Sequence, residues 1–161
     1  MIVSNTTPLS SLLKIGKAHL LQTLYGTLTI PPEVAAELDQ AGSIHEGWRT
    51  QLGFVRVADS SEHDPVKALL VSELDPGEAA AIALAHRIDS KLLIVDDMAG
   101  RRVARRLGLT VIGTVGVILT AGERRLIDEP YAVLEELRTR GGLWLSDSFL
   151  TNLRTAWKRG S

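Results

Sequence analysis

The run Leu92-Leu93-Ile94-Val95, closed at once by Asp96-Asp97, constrains this chain more than any other feature. Four consecutive apolar residues without alternation read as a strand buried on both faces, the mark of a parallel sheet. Before it, Asp75-Pro76-Gly77-Glu78 is a strong helix start, and Ala79 to Ile88 is rich in Ala and Leu. After it, Ala99 to Leu107 reads as a helix ending at Gly108, followed by a strand at Thr110-Val111-Ile112. Helix, strand, helix, strand in that order predicts β-α units around a mainly parallel sheet, so the fold class is α/β.

The flanking segments extend the same alternation. Ile2-Val3-Ser4 is a first strand; Thr7 caps the next helix, with Pro8 at its first position. That helix carries Leu9, Leu12, Leu13 and Ile15, and a second piece holds Leu20, Leu21 and Leu24. Leu28-Thr29-Ile30 is a strand closed by Pro31-Pro32, and Glu33 to Gln40 is helical with Val34 and Leu38 inward. Residues 41 to 64 are poorly periodic, with a helical turn around Trp48 and a strand at Phe54-Val55-Arg56-Val57. Ser60 to Pro65 is a loop, and Val66 to Glu73 a helix. Val115 to Ala121 and Tyr131 to Arg138 read as helices, Leu143-Trp144-Leu145 as a short strand, and Ser146 or Asp147 to about Trp157 as a last helix. No repeat or interdomain linker interrupts the pattern, so residues 1–161 read as one domain.

Composition excludes several classes. The formal net charge is −1, so any nucleic-acid binding must come from a local patch. The absence of cysteine removes disulfides, thiolate metal sites and cysteine nucleophiles, and suits a reducing cytoplasm. No apolar stretch reaches the roughly 20 residues that span a bilayer, and Met1-Ile2-Val3-Ser4-Asn5 lacks the pattern of a signal peptide. The expectation is a cytoplasmic protein without membrane contact. Neither the P-loop nor the dinucleotide glycine fingerprint occurs.

The chemistry concentrates in acids. Asp96-Asp97 follows a buried parallel strand, and ligands bind in the crevice beyond the carboxyl ends of such strands. Adjacent carboxylates repel unless a cation or water offsets them, although either one also suits the cap of the following helix. Glu78 opens the preceding helix, where Asp75-x-x-Glu78 also has the form of a capping box. Glu37 shares a helix face with Glu33 and, alone, is an ordinary exposed glutamate. Asn5 ends the first strand.

These residues fall in a familiar order. Ser4-Asn5-Thr6-Thr7-Pro8-Leu9, Pro31-x-x-Val34-x-x-Glu37-Leu38, Leu74-Asp75-Pro76-Gly77-Glu78-Ala79 and Ile94-Val95-Asp96-Asp97-x-x-Gly100-Arg101-Arg102 resemble the PIN-domain superfamily. Gly108-Leu109-x-Val111-Ile112-Gly113-Thr114-x-Gly116 continues the likeness, which is nearest to a prokaryotic PIN-like branch related to VapC-type toxins. The resemblance covers nearly the whole chain, loosely over residues 41 to 64 and the tail. It implies a three-layer α/β/α sandwich in which acids hold Mg²⁺ or Mn²⁺ for RNA cleavage. Carried over, Asn5 stands where the family has its first aspartate, Glu37 matches the acid of the second conserved helix, and Glu78 the acid of the central helix. Asp96 and Asp97 match the acidic pair after the fourth strand, with the direct ligand left open between them. Thr6, Thr7 or Thr114 would supply a hydroxyl. The resemblance also implies a homodimer and, for toxin members, a cognate antitoxin.

Asn5 is a departure: its amide oxygen can ligate a hard cation but brings no charge. A tolerant branch, a decayed catalyst and an introduced change all fit it. Arg101, Arg102, Arg105 and Arg106 form two i,i+4 rows beside the acids, either a rail for RNA phosphate or a solvated face. His19, His45, His63 and His86 lack metal-site spacing. Trp48, Trp144 and Trp157 are not grouped and read as core or subunit packing. Beside the metal-dependent ribonuclease stand two other readings. One is a catalytically weak RNA-binding or regulatory module. The other is a phosphoryl-transfer domain using Asp96-Asp97, disfavoured because the pair follows a late strand.

Overall fold

The computed structural model describes residues 1–42 and 46–160, with side chains through Trp157. Five short parallel strands make the central sheet: β1 (Ile2–Ser4), β2 (Leu28–Ile30), β3 (Val55–Val57), β4 (Leu92–Ile94) and β5 (Val111–Ile112). Their order across the sheet is β3-β2-β1-β4-β5. Ten helices are described: α1 (Thr6–Lys14), α2 (His19–Tyr25), α3 (Pro32–Gln40), α4 (Trp48–Gln51) and α5 (Pro65–Leu70) in the first half. The second half holds α6 (Pro76–Arg87), α7 (Met98–Arg106), α8 (Thr114–Glu123), α9 (Pro130–Thr139) and α10 (Asp147–Gly160). The result is a three-layer α/β/α fold.

The chain enters at the middle of the sheet, builds outward through β2 and β3, then returns to add β4 and β5 on the other flank. The order therefore reverses between β1 and β4, and a crevice opens at such a switch point. Ile2, Val3 and Ser4 pair with Leu92, Leu93 and Ile94, and the Asn5 N–H donates to the Ile94 carbonyl at 2.9 Å. Leu93, Ile94 and Val95 are fully buried, as the apolar run requires.

Helix α6 packs on β1 and β4 and against α3, α5 and α7. All residues from Gly77 to Ala85 are buried, and a helix covered all round must be apolar all round. Its alanines meet that demand with little volume, so neighbours approach closely on every side. The Asp75 carboxylate caps it, accepting from the Glu78 N–H at 2.9 Å, and Pro76 takes the first position, where no N–H is needed. Asp64 caps α5 in the same way.

Two sequence expectations change here. Helix α1 begins at Thr6 with Asn5 in the cap position, and Asn5 makes no side-chain capping bond. Pro8 thus lies one turn in, where its missing N–H still costs nothing. Residues Leu143 to Leu145 form no strand. Leu143 is buried and Trp144 is exposed, so the two-residue alternation exists, but no ladder partner adjoins it. The guess at His45 lies outside the described residues.

Leu93 sits on β4, beside the central strand, with no exposed surface. Leu93→Ala should lower the unfolding free energy by about 2–5 kcal/mol. Urea denaturation measures this; a loss under about 1 kcal/mol would contradict the packing described.

Candidate active site

The switch point gathers polar groups that the rest of the core excludes. Asn5 leaves β1 with 4% of its surface exposed, and its Oδ1 is buried without a hydrogen-bond partner. Burying an amide oxygen unpaired costs about 1–3 kcal/mol, so the atom is poised for a ligand that donates or carries positive charge. Asp96 and Asp97 leave β4 beside it. Glu78, 7% exposed, arrives from the first turn of α6.

Glu78 and Asp97 converge over Gly100 on α7. The point where a Gly100 Cβ would sit lies 3.4 Å from Glu78 Oε1 and 3.8 Å from Asp97 Oδ2. Burial raises the Glu78 carboxyl from its ordinary 4.5 to about 7. The negative charges of Asp75 and Asp97 push the same way, and the Asp75 backbone N–H partly opposes them. That N–H contact fits the capping-box reading, so Glu78 serves the helix end as well as facing Asp97. Asp97 Oδ2 accepts from the Gly100 N–H at 2.9 Å and caps α7.

Asp96 is held differently. Its two oxygens accept from the backbone N–H and the hydroxyl of the buried Thr114, each at 2.6 Å. Burial raises its pKa, while the Thr114 bonds and the nearby Arg101 charge oppose the rise. The point a Gly113 Cβ would occupy is 3.0 Å from Asp96 Oδ1 and 3.4 Å from Arg101 Nη1, so acid and base flank the glycine. Thr114 thus ties β5 to the end of β4.

Glu37, on α3, accepts a short hydrogen bond from Thr6 Oγ1. A Cβ at Gly77 would overlap the Glu37 carboxylate, which therefore rests on the first turn of α6 one residue from Glu78. Its helix neighbour Glu33 is instead engaged with Lys67. Thr7 is exposed. Of the expected acids, Glu78 and Asp97 are placed together, whereas Glu37 is held by Thr6 and Asp96 by Thr114. Among the described residues, no three His, Asp or Glu side chains stand close enough to cage a metal ion. Two carboxylates with an amide oxygen suit Mg²⁺ or Mn²⁺ all the same, because such ions keep several waters and are commonly held by one or two carboxylates.

Arg102, Arg105 and Arg106 are exposed on α7, and none of them forms an ion pair among the described residues. Arg101 is half-buried, with its Nε unpartnered. His86 is exposed at the far end of α6, away from Glu78. The sequence reading treated Asp75 only as a cap. Its acidic effect on Glu78 was readable from the Asp-x-x-Glu spacing, since a capping box holds two carboxyl groups at one helix end.

The model of the family DUF3368, described as a PIN domain, matches residues 1–159. The chain belongs to this PIN-domain family. No curated protein matches it. PIN domains are generally nucleases and typically use divalent metals. In this PIN domain the acids lie at the carboxyl edge of β1 and β4, as the switch-point rule requires. No described helix is long and apolar enough to cross a membrane.

The raised Glu78 pKa has a thermodynamic consequence. The folded carboxyl keeps its proton up to about pH 7, whereas the unfolded one releases it near 4.5. The folded state binds more protons in that window, so without divalent cations stability should fall as pH rises from about 4.5 to 7. Glu78→Gln should flatten much of that slope in denaturation curves taken across this range. An unchanged slope would show that Glu78 is not desolvated as described.

Proposed function

We propose that this PIN domain is a Mg²⁺- or Mn²⁺-dependent endoribonuclease. The observation that carries the reading is the approach of Glu78 and Asp97 above Gly100, with neither in an ion pair among the described residues. Two carboxylates held this close repel, and an external divalent ion relieves the repulsion while keeping both ionised. The buried, unpartnered Asn5 Oδ1 offers a neutral oxygen at the same edge.

Glu78 and Asp97 are the proposed ion-holding pair, with Asn5 as the third oxygen. When bound, the ion supplies an acidified water and positive charge at the attacked phosphate. Glu37, oriented by Thr6, accepts a proton from the water or holds it in position. Asp96 keeps Thr114 in place: both its oxygens already accept from Thr114, whereas one Asp97 oxygen is engaged by the Gly100 N–H, which favours Asp97 as the direct ligand. Arg102, Arg105 and Arg106 face solvent beside the acids and suit phosphate oxygens of an RNA strand. The likeness to VapC-type toxins extends the proposal to a homodimeric toxin restrained by a cognate antitoxin.

A second reading rests on Asn5. Replacing a charged ligand by a neutral one weakens attraction for the ion, which favours an RNA-binding module of low turnover. One experiment separates the two. Mn²⁺-stimulated cleavage of single-stranded RNA should fall by about 10- to 100-fold or more for Glu78→Ala and Asp97→Ala. Asn5→Asp should tighten Mn²⁺ binding and raise the rate. RNA binding without metal-stimulated cleavage in the natural chain, unaffected by Glu78→Ala or Asp97→Ala, would overturn the nuclease reading and leave the module.

A further inference from the structure

Strand β5 is the sheet edge, and beside it a groove of about 590 Å³ runs between α8 and the segment from Leu143 to Phe149. Asp96 and Arg101 line the groove together with Trp144. Its rim is unusually apolar for a surface: Trp144 is 86% exposed, Met98 66% and Phe149 42%. An indole this exposed contributes nothing to the core, so the reading of Trp144 as core packing does not hold. Trp48, by contrast, is buried and donates to Asp39 at 2.8 Å.

We propose that this groove seats one nucleobase of single-stranded RNA, stacked on Trp144, beside the phosphodiester that reaches the acids. The proposal rests on the nuclease reading for the nature of the strand, and adds the element that grips it. Three features favour this occupant. The groove is continuous with Asp96, so a nucleotide whose base lies against Trp144 has its phosphate directed toward the acid edge. Arg101 lines the groove, and among the described residues its Nε has no partner and Arg102, Arg105 and Arg106, further along α7, form no ion pair. A volume of this order lies in the range of small-molecule pockets and accommodates a base with its sugar.

The division of labour follows from chemistry. Aromatic stacking accepts every base through its π face, whereas the arginines read only phosphate. Trp144 therefore contributes affinity that does not depend on salt, and the arginines contribute the salt-dependent part.

Binding of a short fluorescein-labelled single-stranded RNA, measured by anisotropy in EDTA so that no cleavage intervenes, tests the proposal. Trp144→Ala should weaken binding by about 5- to 100-fold, in line with the loss of one stacked base. Trp144→Phe should restore most of it. The slope of affinity against salt should be unchanged in Trp144→Ala and shallower by about one in Arg102→Ala. An oligonucleotide with abasic sites throughout should bind wild type and Trp144→Ala alike. Circular dichroism confirms that each variant is folded, as expected for a residue on the surface. Equal RNA affinity for wild type and Trp144→Ala would overturn the inference while leaving the nuclease reading intact. Absence of any RNA binding by the natural chain would overturn both. Loss of a dimer in Trp144→Ala, with RNA affinity unchanged, would reassign the groove to self-association.

Discussion

The pairing of β1 with β4 is the contact on which the rest of the molecule depends. It joins the first residues of the chain to a strand near position 92, so a long loop must close before any hydrogen bond rewards it. What makes the closure worthwhile is burial: Val3, Leu93 and Ile94 have no exposed surface, and α6 covers both strands. Once β1 lies in the middle of the sheet, its end and the end of β4 face the same crevice. Asn5 and the Asp96-Asp97 pair then leave adjacent strands at the same end of the sheet.

That arrangement carries an electrostatic cost, which the backbone partly offsets. Asp75 and Asp97 sit at helix starts, where backbone N–H groups donate to their carboxylates and the helix dipole favours negative charge. Glu78 has less help, and burial among like charges leaves it holding its proton to about neutral pH. Glu78 is thus the acid of this group whose charge is conditional. A divalent ion would shift Glu78 to its charged form, which couples occupancy of the site to protonation.

The two flanks of the sheet serve different ends. On the β3 side α3 and α5 close against α6, and Glu33 and Asp64 are used up in ion pairs with Lys67 and Arg87. On the β5 side the covering is incomplete, and the segment leading into α10 leaves Trp144 in solvent over an apolar groove. The α7 arginines, which form no ion pair among the described residues, follow directly on the acid edge, because α7 links the end of β4 to the start of β5.

Much of this was legible without coordinates. The Leu92 to Val95 run, the Asp-Pro-Gly-Glu helix start and the glycine stops specify local states through burial, capping and backbone freedom, which short stretches of sequence encode. The same alternation predicted a mainly parallel sheet, with Asp96-Asp97 at a strand end and Glu78 at a helix start, and the described strands all run parallel. The alternation Leu143-Trp144-Leu145 misled because period-two exposure needs an extended chain but not a pairing partner, and partners are non-local. Asn5 was misplaced relative to the helix start because Thr7-Pro8 is locally as good a beginning. Distance was beyond the sequence altogether. That Glu78 faces Asp97 while Asp96 is bound by Thr114, and that Glu37 rests on Gly77, depends on how closely α3, α6 and α7 approach. Helix approach is set by side-chain volumes summed over the whole core, and only the folded chain performs that sum.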